Sequence, residues 1–388
     1  MIVRILLFAC LLGLVRSQSG DLDVLIEDVF GKDPALPEDK QGNTDPKNNK
    51  PREAVDENGD QCSCVPYYQC NNGNVVTDGT GILDIRIRGV CEDYIDQCCK
   101  DPTEKPIEPE PRERKGCGQR HPDGVGFRII GDNNNEAQFG EFPWMVALLR
   151  RSVLEDGTEL MVYQCGGALI HESVVLTAAH CVTKKKEDSE IYVRAGEWDT
   201  QRTNEIFPHQ NRKVVRTIVH PGFQSGNLWN DFALLVIEKP FEFAENVDTV
   251  CLPSPGVVPL SRECYASGWG KDLFGQKGTY QVILKKIDLP IVPKDHCVDL
   301  LRKTRLGQYF RLHESFVCAG GVVGKDTCKG DGGSPLVCPI EGKPGTYEVT
   351  GLVAWGIGCG DETPGVYAGV AYARPWIDKT MADIGFSL

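Results

Sequence analysis

Seventeen cysteines in 388 residues constrain this chain more than any other feature. One of them, Cys10, lies in an almost purely apolar run over residues 5–15, with Arg4 before it and Ser17 and Ser19 after it. That run reads as a secretory signal peptide occupying residues 1–18, and it is too short to span a bilayer. Sixteen cysteines then remain, an even count in an oxidising compartment, so a disulfide framework is expected. Six of these, Cys62, Cys64, Cys70, Cys91, Cys98 and Cys99, fall within residues 62–99. So short a stretch cannot build a sufficient core unaided, so crosslinks must supply its stability. Zinc is the competing reading, but no histidine lies among these cysteines. Six cysteines can pair in many ways, and spacing alone does not choose among them.

The formal charge of −13 argues against nucleic acid as a partner. No second apolar run approaches the length of the first, so no membrane segment is expected in the mature chain, and no Asn-x-Ser/Thr sequon occurs. Residues 19–61 are acidic and poor in apolar residues after Phe30, a composition expected to stay mostly disordered. Leu22, Leu25, Ile26 and Val29 stand at helical spacing there, which fits either a frayed helix or a docking segment. Within residues 62–99, Val75-Val76 and Ile82–Ile87 read as short strands around Asp78-Gly79-Thr80-Gly81. Residues 100–128 form a linker rich in Pro, Glu, Lys and Arg, in which Arg112, Arg114 and Lys115 are trypsin-type cleavage candidates. From residue 129 to 388 the chain reads as many short strands broken by Gly, Pro and Asn, an antiparallel all-β pattern of the barrel class. Examples are Pro143–Leu149, Val174–Leu176, Val214–Val219 and Val349–Trp355. A helix with proline in its first turn is expected over Arg374–Ala382.

Three motifs in this last region stand in a fixed order: Thr177-Ala178-Ala179-His180-Cys181, Asn230-Asp231-Phe232-Ala233-Leu234-Leu235, and Cys328-Lys329-Gly330-Asp331-Gly332-Gly333-Ser334-Pro335. Together they resemble the signature of the chymotrypsin-like serine proteases. The resemblance covers about two-thirds of the chain and implies two six-stranded antiparallel β-barrels with the site between them. It also implies Cys117–Cys251, Cys165–Cys181, Cys264–Cys338, Cys297–Cys318 and Cys328–Cys359. A cut in the loop between Cys117 and Cys251 would leave two chains joined by a disulfide. Arg128-Ile129-Ile130-Gly131 resembles the family's activation site, at which the new Ile α-amine pairs with the Asp matching Asp331; Asp132 replaces the usual second glycine. Residues 62–99, with Cys64-Val-Pro-Tyr-Tyr-Gln-Cys70 and the adjacent Cys98-Cys99, are similar to the clip domain of arthropod protease cascades. That similarity implies Cys62–Cys98, Cys64–Cys91 and Cys70–Cys99.

The position of the family's nucleophilic serine is Gly332. Ser334 lies two residues further on, roughly 7 Å along an extended chain, whereas a nucleophile must sit within about 3 Å of its base. His180 and Asp231 match the family's base and its orienting carboxylate, but with Gly332 the base has nothing to activate. The N–H groups of Gly330 and Gly332 match the oxyanion hole. In another serine protease, loss of the triad lowers the rate about a million-fold, roughly 8 kcal/mol of barrier. Asp326 matches the pocket residue that binds Arg or Lys in trypsin-like members, Gly356 and Gly365 match the glycines that keep that pocket open, and Ala354 departs from the usual serine. Glu197, Asp199 and Glu205 fall where several members bind calcium, with non-standard spacing, and are read either as a calcium site or as a solvated acidic loop. No other cofactor is expected.

The resemblance thus implies a secreted, non-catalytic clip-domain protease homologue of the arthropod haemolymph, most like the prophenoloxidase-activating homologues. It implies a cofactor or adaptor acting after cleavage, with prophenoloxidase and an upstream activating clip protease as partners and an oligomer possible once cut. The competing readings are a decoy or inhibitor capturing Arg/Lys segments through Asp326, a microbe-binding or adhesion protein, and a weakly active secreted protease.

Overall fold

A computed structural model describes residues 52–56, 58–66, 69–71, 74–75, 82–84, 90–91, 96–100, 116–126, 128–130, 135–153, 159–183, 190–201, 205–261, 263–270, 280–322, 331–357 and 362–388. The expected signal peptide, the acidic segment up to residue 51 and the linker residues 101–115 lie outside them, as do Cys328 and Cys359.

The chain begins with β1 (Arg52–Val55), β2 (Gln61–Pro66), β3 (Cys70–Asn71), β4 (Asn74–Val75), β5 (Ile82–Asp84) and β6 (Asp96–Cys99). β1, β2 and β6 form a three-stranded antiparallel sheet, and β3 pairs with β4. The small core here consists of Val65, Cys70 and Cys99. Cys62–Cys98, Cys64–Cys91 and Cys70–Cys99 therefore carry much of the stability, each closing a loop whose constraint is worth about 2–4 kcal/mol. β7 (Arg128–Ile130) pairs with β5 in parallel, joining the clip region to the start of the protease-like region.

β8 (Met145–Val153), β9 (Glu159–His171), β10 (Val174–Thr177), β11 (Ile191–Ala195), β12 (Gln210–Val219) and β13 (Ala233–Ile237) close into a barrel in the order β10-β13-β12-β11-β8-β9. The run Met145–Leu149 is buried throughout, which is why it reads as continuously apolar rather than alternating. A short helix, α1 (His180–Thr183), follows β10.

The second sheet contains β14 (Cys264–Gly268), β15 (Lys285–Leu289), β16 (Ile291–Val292), β17 (Phe316–Gly320), β18 (Pro335–Pro339), β19 (Tyr347–Trp355) and β20 (Pro364–Gly369), in the order β15-β14-β18-β19-β20-β17-β16. Its two end strands are consecutive in the chain, separated by Pro290, which supplies no N–H to a ladder. The Pro290 carbonyl accepts from Gly320 instead. Taken as one interrupted strand, β15 and β16 make this a six-strand circuit.

α2 (Lys294–Arg302) is crosslinked to β17 by Cys297–Cys318. α3 (Val370–Asp383) follows β20 directly, so the last helix begins four residues before the expected Arg374. Pro375 consequently lies inside the helix rather than in its first turn. Val370, Ala373, Ile377 and Met381, at helical spacing, form the buried face. Trp376 meets the His220 ring edge-on at 4.9 Å, and Phe386 lies 4.7 Å from the His171 ring, so the C-terminal segment also touches the first barrel. The all-β expectation holds, and seven of the eight implied disulfides are present.

Candidate functional site

The interface between the barrels gathers the three motifs. Thr177 ends β10, its hydroxyl donating to the Gly166 carbonyl at 2.8 Å, and the buried Ala178 and Ala179 lead into α1. His180 is fixed at two points: its backbone N–H donates to Asp231 Oδ1 at 2.8 Å, and its Nδ1 lies 2.6 Å from Asp231 Oδ2. An acidic partner on Nδ1 puts the ring proton there and leaves Nε2 as the basic atom. Nε2 lies 3.5 Å from Cys181 Sγ, whose disulfide to Cys165 ties α1 to β9. Asp231 is delivered by a turn in which Leu228 and Asn230 have φ of +56° and +55°. Such left-handed backbone is strained for leucine. Asn230 holds the turn by donating from its side chain to the Gly222 carbonyl at 2.8 Å.

Residues 331–334 make a tight turn, with Ser334 N–H donating to the Asp331 carbonyl at 2.9 Å. The Gly332 carbonyl accepts from Gly166 N–H and Gly333 N–H donates to the Val353 carbonyl, both at 2.9 Å, so the turn is stitched to both barrels. Gly333 has φ +74°, and a Cβ there would come 2.4 Å from Thr177 Oγ1, so only glycine fits. Gly332 is not among the positive-φ residues. The backbone therefore does not require glycine at 332.

Ser334 is fully buried, and its Oγ would lie 2.0 Å from a Cβ on Gly166 and 3.2 Å from one on Gly268. It fills the space between two glycines, out of reach of a substrate carbonyl. Its hydroxyl and that of Tyr163 are both buried and lie beside each other. Burial, and then the charge of Asp331, hold the Tyr163 hydroxyl well above its ordinary value. Asp331 Oδ1 accepts from Gly270 N–H at 3.0 Å.

Of the expected pocket, Gly356 is partly buried, Gly365 is buried in β20, and Ala354 is buried in β19; Asp326 lies outside the described residues, as does Gly330 of the oxyanion pair. Arg128 is exposed and pairs with Asp123 at 2.9 Å, while Arg112, Arg114 and Lys115 lie outside the described residues.

Of the three acidic residues, two are buried and Glu205 is half-buried. Glu197 is 5% exposed and Asp199 fully buried. Asp199 Oδ1 caps its own turn by accepting from Gln201 N–H. Glu197 and Glu205 instead gather with His209, each offering a ligand-type atom within 4.8 Å of the others. Arg194 pairs with Glu197 at 2.8 Å, and His209 Nδ1 lies 3.1 Å from the same carboxylate oxygen. Glu205 Oε2 is buried without a partner. Burial and the neighbouring Glu197 charge push the Glu205 carboxyl up to about 9. Two converging carboxylates suit a hard cation, although Arg194 and His209 compete for one of them. His209 escaped the sequence reading because it opens onto β12, and nothing in its local pattern distinguishes it.

Residues 132–377 match the trypsin family, and the chain belongs to that family. Residues 51–100 match the serine protease clip domain PPAF-2 family. The chain is 55% identical over 294 residues to phenoloxidase-activating factor 2 of Galleria mellonella, covering 73% of this chain and 96% of that protein. It is 37% identical over 347 residues to the inactive CLIP domain-containing serine protease A28 of Anopheles gambiae, covering 82% and 89%. Phenoloxidase-activating enzyme 1 of Spodoptera litura is 32% identical over 364 residues, covering 84% and 92%.

Proposed function

We propose that this chain is a secreted pseudoenzyme that assists prophenoloxidase activation in haemolymph as a cofactor, after cleavage by an upstream clip protease. One observation carries the loss of catalysis: the His180–Asp231 pair is oriented, but the motif position of the nucleophile holds Gly332, and Ser334 two residues on is sealed in the core. A positioned base without a nucleophile cannot form an acyl intermediate. The kinship with proteins named phenoloxidase-activating factor 2 and inactive CLIP domain-containing serine protease supports the role. What the scaffold retains is two modules joined by a cleavable linker, which suits binding and assembly. Glu197 and Glu205 are proposed to hold calcium as a structural ion.

The test mixes purified prophenoloxidase and a separate activating protease with cut protein, uncut protein, or cut protein carrying a disrupted clip region, and follows phenol oxidation. The cut, intact form is expected to give the most oxidation. Equal oxidation in all three mixtures defeats the cofactor reading. In the same preparations an organophosphate is expected to leave the protein unlabelled; stoichiometric labelling would falsify the pseudoenzyme reading.

A further inference from the structure

The bond between Arg128 and Ile129 lies within β7, and β7 is paired in parallel with β5 of the clip region. Ile82 stands opposite Arg128, Leu83 opposite Ile129 and Asp84 opposite Ile130. β5 sits in the chain between Cys70 and Cys91, which are crosslinked to Cys99 and Cys64. Those partners lie in β6 and β2, in the central clip sheet. The Arg128 side chain, by contrast, is 60% exposed and pairs with the exposed Asp123. The group a trypsin-type protease recognises is thus on display while the backbone it must cut is occupied.

A protease acts on a segment that leaves its native pairing and enters the enzyme's cleft as extended chain. We infer that the clip region guards the Arg128–Ile129 bond, which becomes cleavable only when β7 leaves β5. Docking of the clip region then decides between the two classes of cut in this chain. The linker candidates Arg112, Arg114 and Lys115 precede β7 in the sequence. A partner that draws the clip region away would open the Arg128 site without touching it. The inference concerns cleavage alone and stands whether or not the cut protein acts on phenoloxidase.

When opening and reclosing are fast, the cutting rate follows the population of the open form. The test uses the full chain with a trace of trypsin and measures, by mass spectrometry over time, the fragment that begins at Ile129. Leu83→Pro and Asp84→Pro are compared with the unaltered protein. Proline removes a backbone N–H, and successive N–H groups of a strand point to opposite sides, so one of the two variants removes a donor facing β7. That variant is expected to release the Ile129 fragment at least about tenfold faster, a weakening of the pair by about 1.4 kcal/mol. Rates within about twofold of the unaltered protein in both variants overturn the guard. If either variant loses its clip disulfides, amide exchange in the unaltered protein decides. Slow exchange at Ile129 or Ile130 supports the pairing, and exchange at both as fast as in a free peptide overturns it.

Discussion

Glycine at position 332 carries no side-chain oxygen, so in the proposed pseudoenzyme Nε2 of His180 has no hydroxyl there to deprotonate. The rest of the residue-scale chemistry persists because it is structural. Asp231 accepts from both the backbone and the ring of His180, so the pair fixes the entry into α1 whether or not catalysis follows. Glu205 is a second residue whose environment has a measurable consequence. Its folded pKa of about 9 lies above the ordinary 4.5, so the folded state holds a proton that the unfolded state releases. That contribution is full below the ordinary value and is lost as pH rises toward 9, at up to about 1.4 kcal/mol per pH unit. Denaturant titrations from pH 5 to 9 should show this fall in the unaltered protein relative to Glu205→Gln. Calcium, if it occupies the proposed site, should flatten the difference and release a proton on binding. Identical pH profiles for the two proteins would refute the assignment.

Individual elements are held by polar contacts as much as by their apolar faces. The segment after Cys117 joins the second barrel through Gly118, which donates to Thr249 and accepts from Tyr347, and through the disulfide to Cys251. Arg120 completes the attachment: its Nε donates to Glu141 Oε1 at 3.0 Å and its guanidinium lies 3.8 Å from the centre of the Tyr265 ring. Burial opposes the Arg120 charge, but Glu141 beside it holds the group above its ordinary value. The Glu141 side chain is fully buried and also takes Lys286 Nζ at 2.8 Å. Arg120→Ala should therefore destabilise by about 3–5 kcal/mol, because it strips a partner from a buried carboxylate. The double variant with Glu141→Gln should recover part of that loss, and an unchanged denaturation midpoint for Arg120→Ala would count against the network.

For the whole molecule, disulfide topology separates the two classes of cleavage. The six clip cysteines pair among themselves, and Cys117 is bound to Cys251. A cut after Arg112, Arg114 or Lys115 falls before Cys117, so the clip fragment should leave on a denaturing gel without reductant. A cut after Arg128 falls after Cys117, so the pieces should part only when reduced. Fragments that stay together without reductant after a mapped linker cut would mean the cysteines pair otherwise.

Much of this protein is written locally. The cysteine pattern and the three motifs pointed to the scaffold, the glycine at 332 and the His180–Asp231 pair, because each is a short run whose side chains act near their own backbone. The strand positions followed from apolar patterning, although α3 began earlier than Pro375 suggested, since the chain passes straight from β20 into the helix. What depended on tertiary structure was every pairing between distant segments. His209 joins Glu197 and Glu205 only because β12 returns beside their loop. Ser334, polar by composition, became a core residue because Gly166 and Gly268 leave a space its side chain fills. The parallel match of β5 with β7 has no local signature, because two three-residue strands far apart in sequence acquire a register only when the clip disulfides and the barrel bring their backbones together.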